Sequence, residues 1–307
     1  LKIKVFGINF DNPIGLAAGF DKNAEIYNSI FKLGFAFSEV GTITPKPQKG
    51  NPKPRVFRLN RDEAIINSLG FPNDGMNKVS ERIFNNPKKS ILGINIGPNK
   101  ENADKGDDYL LCIKKLYQQA DYITVNISSP NTPNLRDLHD KKKILNLINL
   151  LQNFKKNSVE KRPIIFKLSP NLKNSEIDTL SEIFLEKKID GLVLTNTTVT
   201  GKESLLDENK NKNGGLSGYP LSSISNHVIK HFYKNLKGIV PIIGTGGVTD
   251  GISAYEKIKC GASLLQLYTA MVFKGPYVAS TINKELSNLL KKDGLKNVSD
   301  AIGVNVN

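Results

Sequence analysis

Seven residues from Asn126 to Thr132, in the order Asn-Ile-Ser-Ser-Pro-Asn-Thr, follow directly on the apolar run Tyr122 to Val125. They place two amides, a pair of serines, a threonine and a proline where a chain leaving a buried strand needs only a glycine, an aspartate or a helix cap. Neutral donors and acceptors at that density suit contact with a polar ligand. A Ser/Asn-rich turn is the bland reading of the same residues, and the neighbouring elements decide between the two.

The chain opens with Lys2 to Phe10, which alternates about Gly7 as a short exposed hairpin does. Ile14 to Gly19 is a small-residue strand leading to Lys22, a helical pattern runs from Ala24 to Leu33, and a second strand runs from Gly34 to Val40. Arg55 to Leu59 and Ala64 to Asn67 then read as two strands of a long excursion, of the kind that forms lids or binding elements. After a helix from Asp74 to Phe84 the alternation becomes regular. Strands are predicted at Ile91–Ile96, Tyr122–Asn126, Ile164–Leu168, Gly191–Thr195, Pro241–Thr245 and Ser263–Tyr268, with helices between them and a polar insertion from Lys202 to Asn213.

Eight strand–helix units at this length predict an α/β chain folded as one (β/α)8 TIM barrel domain over 1–307. It carries a small N-terminal cap hairpin and an inserted β excursion after its second strand. An open doubly wound sheet would want a dinucleotide-binding glycine turn after the first strand, and Gly15 to Gly19 lacks that spacing.

Barrel chemistry sits at the C-terminal ends of the strands. Those ends supply Gly19 and Lys22, Thr42, Asn95, Asn126 to Thr132, Lys167, Asn196 to Thr198, Gly246 and Gly247, and Tyr268 and Thr269. Such a rim has amides, hydroxyls and lysines but no carboxylate pair, histidine or metal cluster, which argues against paired-carboxylate hydrolysis and metal catalysis. His139, His227 and His231 fall at predicted loop or helix positions and read as surface residues. Gly244 to Val248, glycine-rich and ahead of a helix, is a candidate phosphate cradle at the usual barrel position, with the helix N-terminus favouring the anion.

The composition bounds the rest. The net charge of +14 comes from 43 Lys+Arg against 29 Asp+Glu, mostly scattered lysines beside abundant asparagine. Without a basic tract or recognition motif this reads as a solvated surface and not as a nucleic-acid interface. Cys112 and Cys260 fit no metal spacing and no disulfide framework. No stretch is long and apolar enough for a membrane span.

Over essentially its full length the chain resembles the dihydroorotate dehydrogenases, specifically the quinone-dependent class 2 branch. The resemblance rests on Gly19-Phe-Asp-Lys22, Thr44-Pro-Lys-Pro-Gln48, Arg55-Val-Phe-Arg58, Asn67 with Gly70-Phe71, Asn126 to Thr132, Thr195-Asn-Thr-Thr198, Gly214-Gly-Leu-Ser-Gly218 and Gln266-Leu-Tyr-Thr269. It implies FMN at the barrel mouth, no metal, and oxidation of dihydroorotate to orotate in pyrimidine biosynthesis. Ser129 would take the C5 proton while hydride leaves C6, with Thr132 and a water beside Phe71 carrying the proton onward, because a serine hydroxyl is a poor base at neutral pH. Serine at 129, where the soluble class 1 enzymes use cysteine, is the discriminating residue.

By the same resemblance FMN would be held by Ala18, Gly19, Lys22, Thr42, Asn95, Asn126, Lys167, Thr195, Gly218, Gly246, Gly247, Tyr268 and Thr269. The substrate would be held by Lys22, Asn67, Ser68, Leu69, Gly70, Phe71, Asn126, Asn131, Asn196 and Thr197. Val56, Arg58 and Ile65 would face the quinone. Pro98 stands where the family usually has lysine, and Ser68 and Pro72 where arginine and asparagine are usual. Class 2 members also carry an N-terminal helix pair that forms a quinone tunnel and touches the bilayer. This chain begins at the cap hairpin, so it is expected to be a partial chain of a monomeric enzyme peripheral to the cytoplasmic face of the cell inner membrane, or to the mitochondrial inner membrane. The rival readings are a flavin barrel that reduces uridine in RNA, which would want a cysteine acid, and a phosphate-ligand-binding barrel without turnover.

Overall fold

Runs of three to seven mostly apolar residues bounded by glycine and polar turns form strands covered on both faces, the pattern of a parallel sheet wrapped by helices. The computed structural model describes residues 1–102, 106–133 and 135–306. Its strands are β1 (Ile3–Val5), β2 (Ile8–Phe10), β3 (Ile14–Leu16), β4 (Phe37–Ile43), β5 (Val56–Leu59), β6 (Ala64–Asn67), β7 (Ile91–Ile96), β8 (Tyr122–Asn126), β9 (Ile164–Leu168), β10 (Gly191–Leu194), β11 (Gly215–Gly218), β12 (Ile242–Thr245) and β13 (Leu264–Leu267). Its helices are α1 (Met76–Asn85), α2 (Asp107–Leu116), α3 (Lys141–Asn157), α4 (Asn174–Glu186), α5 (Ser222–Asn235), α6 (Gly251–Lys259), α7 (Thr269–Lys274) and α8 (Val278–Lys292).

Eight strands close into a parallel barrel in the order β3-β4-β7-β8-β9-β10-β12-β13, as the alternation predicts. The β1–β2 hairpin closes its lower end. Val5 and Phe10 pack there against Phe37, Tyr122, Ile165, Val193, Ile243 and Leu264, and the rings of Phe10 and Phe37 meet edge to face at 5.2 Å. The inward side chains of the upper layer are instead polar, including Glu39, Asn95, Thr124, Lys167 and Gln266, all buried. The barrel is therefore dry and apolar below and hydrogen-bonded above.

Two expectations are corrected. No α-helix forms over Ala24 to Leu33; only a 3-10 turn at Ile30–Leu33 is present. The Asp21 carboxylate draws in the amides of Glu25 and Ile26 at 2.8 and 2.9 Å, and Ala24 is left-handed at φ 57°, so the chain is still turning where a helix would begin. The excursion also contains three strands. β11, supplied from after β10, pairs antiparallel with β6, and β6 pairs with β5, forming a small sheet above one side of the barrel mouth.

Candidate active site

A cleft lies at the strand C-terminal ends. It brings together Ala18, Gly19, Lys22, Thr42, Val56, Ile65, Asn67, Leu69, Gly70, Phe71, Asn126, Ser129, Asn131, Lys167, Thr195, Asn196, Thr197, Gly218, Gly246, Gly247, Tyr268 and Thr269. Asn95 lies beneath the floor, fully buried. Thr132 is buried just behind Ser129, Ser68 serves the rim through its backbone, and Arg58 is exposed on β5 opposite Ile65.

The floor is one connected polar network. Glu39, inside β4, accepts from Asn95 at 2.7 Å, Gln266 at 2.7 Å, Thr124 at 3.0 Å and Tyr122 at 3.2 Å. Asn95 accepts in turn from Thr42 at 2.7 Å and from Asn126 at 3.3 Å. The Asn126 oxygen receives Ser128 and Asn196, and Asn196 also reaches the Ser128 hydroxyl at 3.0 Å. Every floor amide thus has its orientation fixed before any ligand arrives, which is the preorganisation that binding and catalysis require.

Two lysines supply positive charge to this cleft. Burial is the main influence pulling Lys167 below the ordinary lysine range, and the Glu39 carboxylate opposes it. Lys22, which donates to the Gly19 carbonyl, is also lowered, first by burial and then by the Arg55 guanidinium, with Asp21 opposing.

The stretch from Asn126 to Thr132 wraps one side of the cleft. The Ser129 hydroxyl accepts from the Asn131 amide at 3.3 Å, and the Asn131 side chain donates to Asn67 at 3.0 and 3.2 Å, tying the β8 loop to β6. Thr132 Oγ1 is buried with no partner among the described residues. Arg136 reaches the carbonyls of Ser128 and Thr197, both at 3.4 Å, and so bridges the loops that carry Ser129 and Asn196.

The phosphate cradle differs from its expected form. The N-terminus of α6 is already satisfied: Asp250 caps it by accepting from Ser253 at 2.8 Å, and Glu285 takes the Gly251 amide at 2.6 Å. An anion at this end would therefore rest on the backbone bend at Gly246 and Gly247 and on the start of α7 at Tyr268 and Thr269, which line the same cleft. Gly247 has φ 74°, and a Cβ there would lie 2.4 Å from that of Ser222, so glycine is required for the bend.

Residues given no role of their own from the sequence are Glu39 and Arg136, together with Ser128, Gln266 and Ser217, which lie inside stretches already singled out; the Ser217 hydroxyl meets that of Thr269 at 2.8 Å. A charge inside an apolar strand was the available signal for Glu39. His139 is corrected: its Nε2 is buried and not at the surface.

A closed parallel barrel whose mouth combines a neutral amide network, a serine and a glycine cradle defines an enzyme of the phosphate-anchored cofactor type. The dihydroorotate dehydrogenase family model matches residues 1–290. The chain is 46% identical to dihydroorotate dehydrogenase (quinone) of Bartonella tribocorum over 304 residues, covering 98% of this chain and 84% of that protein. It is 43% identical to the mouse protein dihydroorotate dehydrogenase (quinone), mitochondrial, covering 99% and 80%. The crystal structure of the ligand-free Eimeria tenella enzyme superposes with a TM-score of 0.97 at 40% identity, covering 100% of this chain and 92% of that one. The chain belongs to the dihydroorotate dehydrogenase family.

Membership implies a bound flavin, and the residues present fit one. The Thr195 hydroxyl, buried at the cleft wall, has no partner among the described residues. The backbone bend at Gly246 and Gly247 beside the start of α7 suits a phosphate, and Lys167 places a cation in the same cleft.

Proposed function

We propose that this chain oxidises dihydroorotate to orotate in pyrimidine biosynthesis, with FMN as its flavin and a quinone as the final acceptor. The observation that carries the reading is Ser129, a buried hydroxyl in the one wall that also presents Asn131 and, through it, Asn67. Carboxylate and imide groups of a pyrimidine need both donors and acceptors, and the amides of Asn67, Asn126, Asn131 and Asn196 with the Thr197 hydroxyl offer both. Lys22 stands where negative charge on the substrate would be stabilised.

Ser129 would take the proton from C5 of the substrate and must shed its own. Thr132, three residues on in the same loop and with a hydroxyl unpartnered among the described residues, is the group that receives it, through water beside Phe71. Bound FMN would supply the acceptor for the electron pair leaving C6. Ala18, Gly19, Thr42, Lys167 and Thr195 would hold its ring, with Asn95 positioning Thr42 and Asn126 from below. Gly218, Gly246, Gly247, Tyr268 and Thr269 would hold its phosphate.

The quinone side is the small sheet, where Val56 and Ile65 line the cleft. The chain would act as one monomeric domain without a metal, peripheral to the cytoplasmic face of the inner membrane in a bacterium or to the mitochondrial inner membrane. Among the described residues no helix is long and apolar enough to cross a membrane.

The test assays FMN-loaded protein with dihydroorotate against a short-chain quinone, fumarate and NAD. Quinone reduction is expected, and brisk fumarate or NAD turnover without it would sink the assignment. The Ser129→Ala variant is expected to retain FMN while its reduction by dihydroorotate slows by about 100-fold or more. Near-normal reduction would remove Ser129 from its role.

A further inference from the structure

Glu39 is a charge that the chemistry described above leaves unused. It has no exposed surface, and both of its oxygens accept hydrogen bonds inside the barrel: one from Asn95 at 2.7 Å, the other from Gln266 at 2.7 Å, Thr124 at 3.0 Å and Tyr122 at 3.2 Å. All four donors are neutral. Burying a carboxylate among neutral groups is costly, and hydrogen bonds offset only part of that cost.

A neutral amide at the same position would satisfy the same partners. With glutamine at residue 39, its oxygen would face Asn95, and Gln266 would turn its own amide over to accept from the new NH2 group. The hydroxyls of Thr124 and Tyr122 accept as readily as they donate. What the carboxylate alone provides is its charge.

That charge lies under a cleft whose own charged side chains are both positive. Lys22 and Lys167 line it, and no carboxylate does among the described residues. Gln266 lines the cleft and donates to Glu39, while Asn126 lines it and donates to Asn95, so one or two hydrogen bonds separate the carboxylate from the ligand space. Glu39 is also felt at Lys167, where it opposes the lowering that burial imposes. A neutral flavin ring that takes up a hydride gains one negative charge. Cations nearby favour that state, and a buried anion nearby opposes it. The two lysines alone would hold the electron pair in the cofactor, whereas the pair has to pass on to the acceptor.

Resting on the reading that FMN is the flavin, we propose that Glu39 sets the reduction potential of the bound flavin, holding it down against the two lysines by a negative charge fixed beneath the barrel floor. Asn95 and Gln266 are the side chains that keep the carboxylate there and apart from the ligand.

The midpoint potential of the bound flavin, read by anaerobic dye equilibration, separates this role from a structural one. Wild type is compared with Glu39→Gln and with the exchange that combines Glu39→Gln and Gln266→Glu. The exchange returns the charge on β13, at a position that lines the cleft, and keeps the amide–carboxylate bond with its direction reversed.

Glu39→Gln is expected to shift the equilibrium toward reduced flavin by about tenfold, or about 30 mV for a two-electron couple, the order of effect that one buried charge exerts across a layer of side chains. The exchange is expected to bring the potential below that of wild type, because the charge then stands closer to the ligand. An unchanged or lowered potential in Glu39→Gln would overturn the role, a lowering meaning that Glu39 serves only to keep Lys167 charged. If Glu39→Gln fails to fold, the exchange decides alone, and a potential at or above that of wild type overturns the proposal. A wild-type protein that takes up no FMN would instead overturn the reading on which it rests.

Discussion

His139 carries an imidazole nitrogen into a buried position between the loop after β8 and α3, with no partner among the described residues. Burial first, and the neighbouring Arg136 second, hold its pKa down from 6.5 to about 4. The folded chain therefore keeps this ring neutral where the unfolded chain protonates it. Stability from this group is complete above pH 6.5 and is lost as pH falls from there toward 4, by up to about 3 kcal/mol. Urea unfolding of His139→Gln is expected to show a flatter decline across that window than wild type, and parallel declines would refute the assignment. In the sequence His139 looked like one more polar loop residue. The floor roles of Glu39 and Ser128 were hidden because their partners come from separate barrel strands, and only closure of the barrel brings them together. Ser129, Asn131 and Lys167 were legible because they follow directly on apolar runs, and the strand ends point at a common rim.

The cap hairpin and the small sheet show how differently two inserted elements declare themselves. Lys2 to Phe10 alternates about a glycine, and it forms the expected hairpin, whose inward residues Val5 and Phe10 fill the base of the barrel. Gly15 makes room for the Phe37 ring on which Phe10 packs, since an added Cβ there would lie 2.2 Å from that ring. Phe10→Ala is accordingly expected to cost about 3–5 kcal/mol in unfolding free energy. FMN affinity should stay unchanged, because the plug and the cleft occupy opposite ends of the barrel. A loss below about 1 kcal/mol, or a weakened cofactor site, would contradict that separation. β11 was hidden because Gly215-Leu-Ser-Gly218 is short and glycine-bracketed, and it becomes a strand only through pairing with β6. Ala24 to Leu33 erred the other way. Its apolar spacing suits a helix, but the Asp21 carboxylate binds the amides that a first turn would leave free.

The whole chain carries +14, and this charge acts in two opposite directions. Most of the described ion pairs are exposed on at least one side, as in Lys2–Asp11 and Lys78–Asp74, and pairs of that kind contribute little. Mutual repulsion among the excess lysines therefore weakens the folded state, while the same field attracts anionic ligands to the cleft. Raising ionic strength from about 0.01 M to about 0.15 M shortens the screening length from about 30 Å to about 8 Å. The melting temperature of the apoprotein is expected to rise over that interval, because repulsion between distant surface charges is screened. The association rate of orotate, a carboxylate, is expected to fall about threefold or more, because long-range steering is screened as well. Differential scanning fluorimetry of the apoprotein and stopped-flow flavin fluorescence of the FMN-loaded protein read the two quantities. A melting temperature that rises while the association rate stays unchanged would mean that the excess charge is concentrated away from the barrel mouth and bears only on stability.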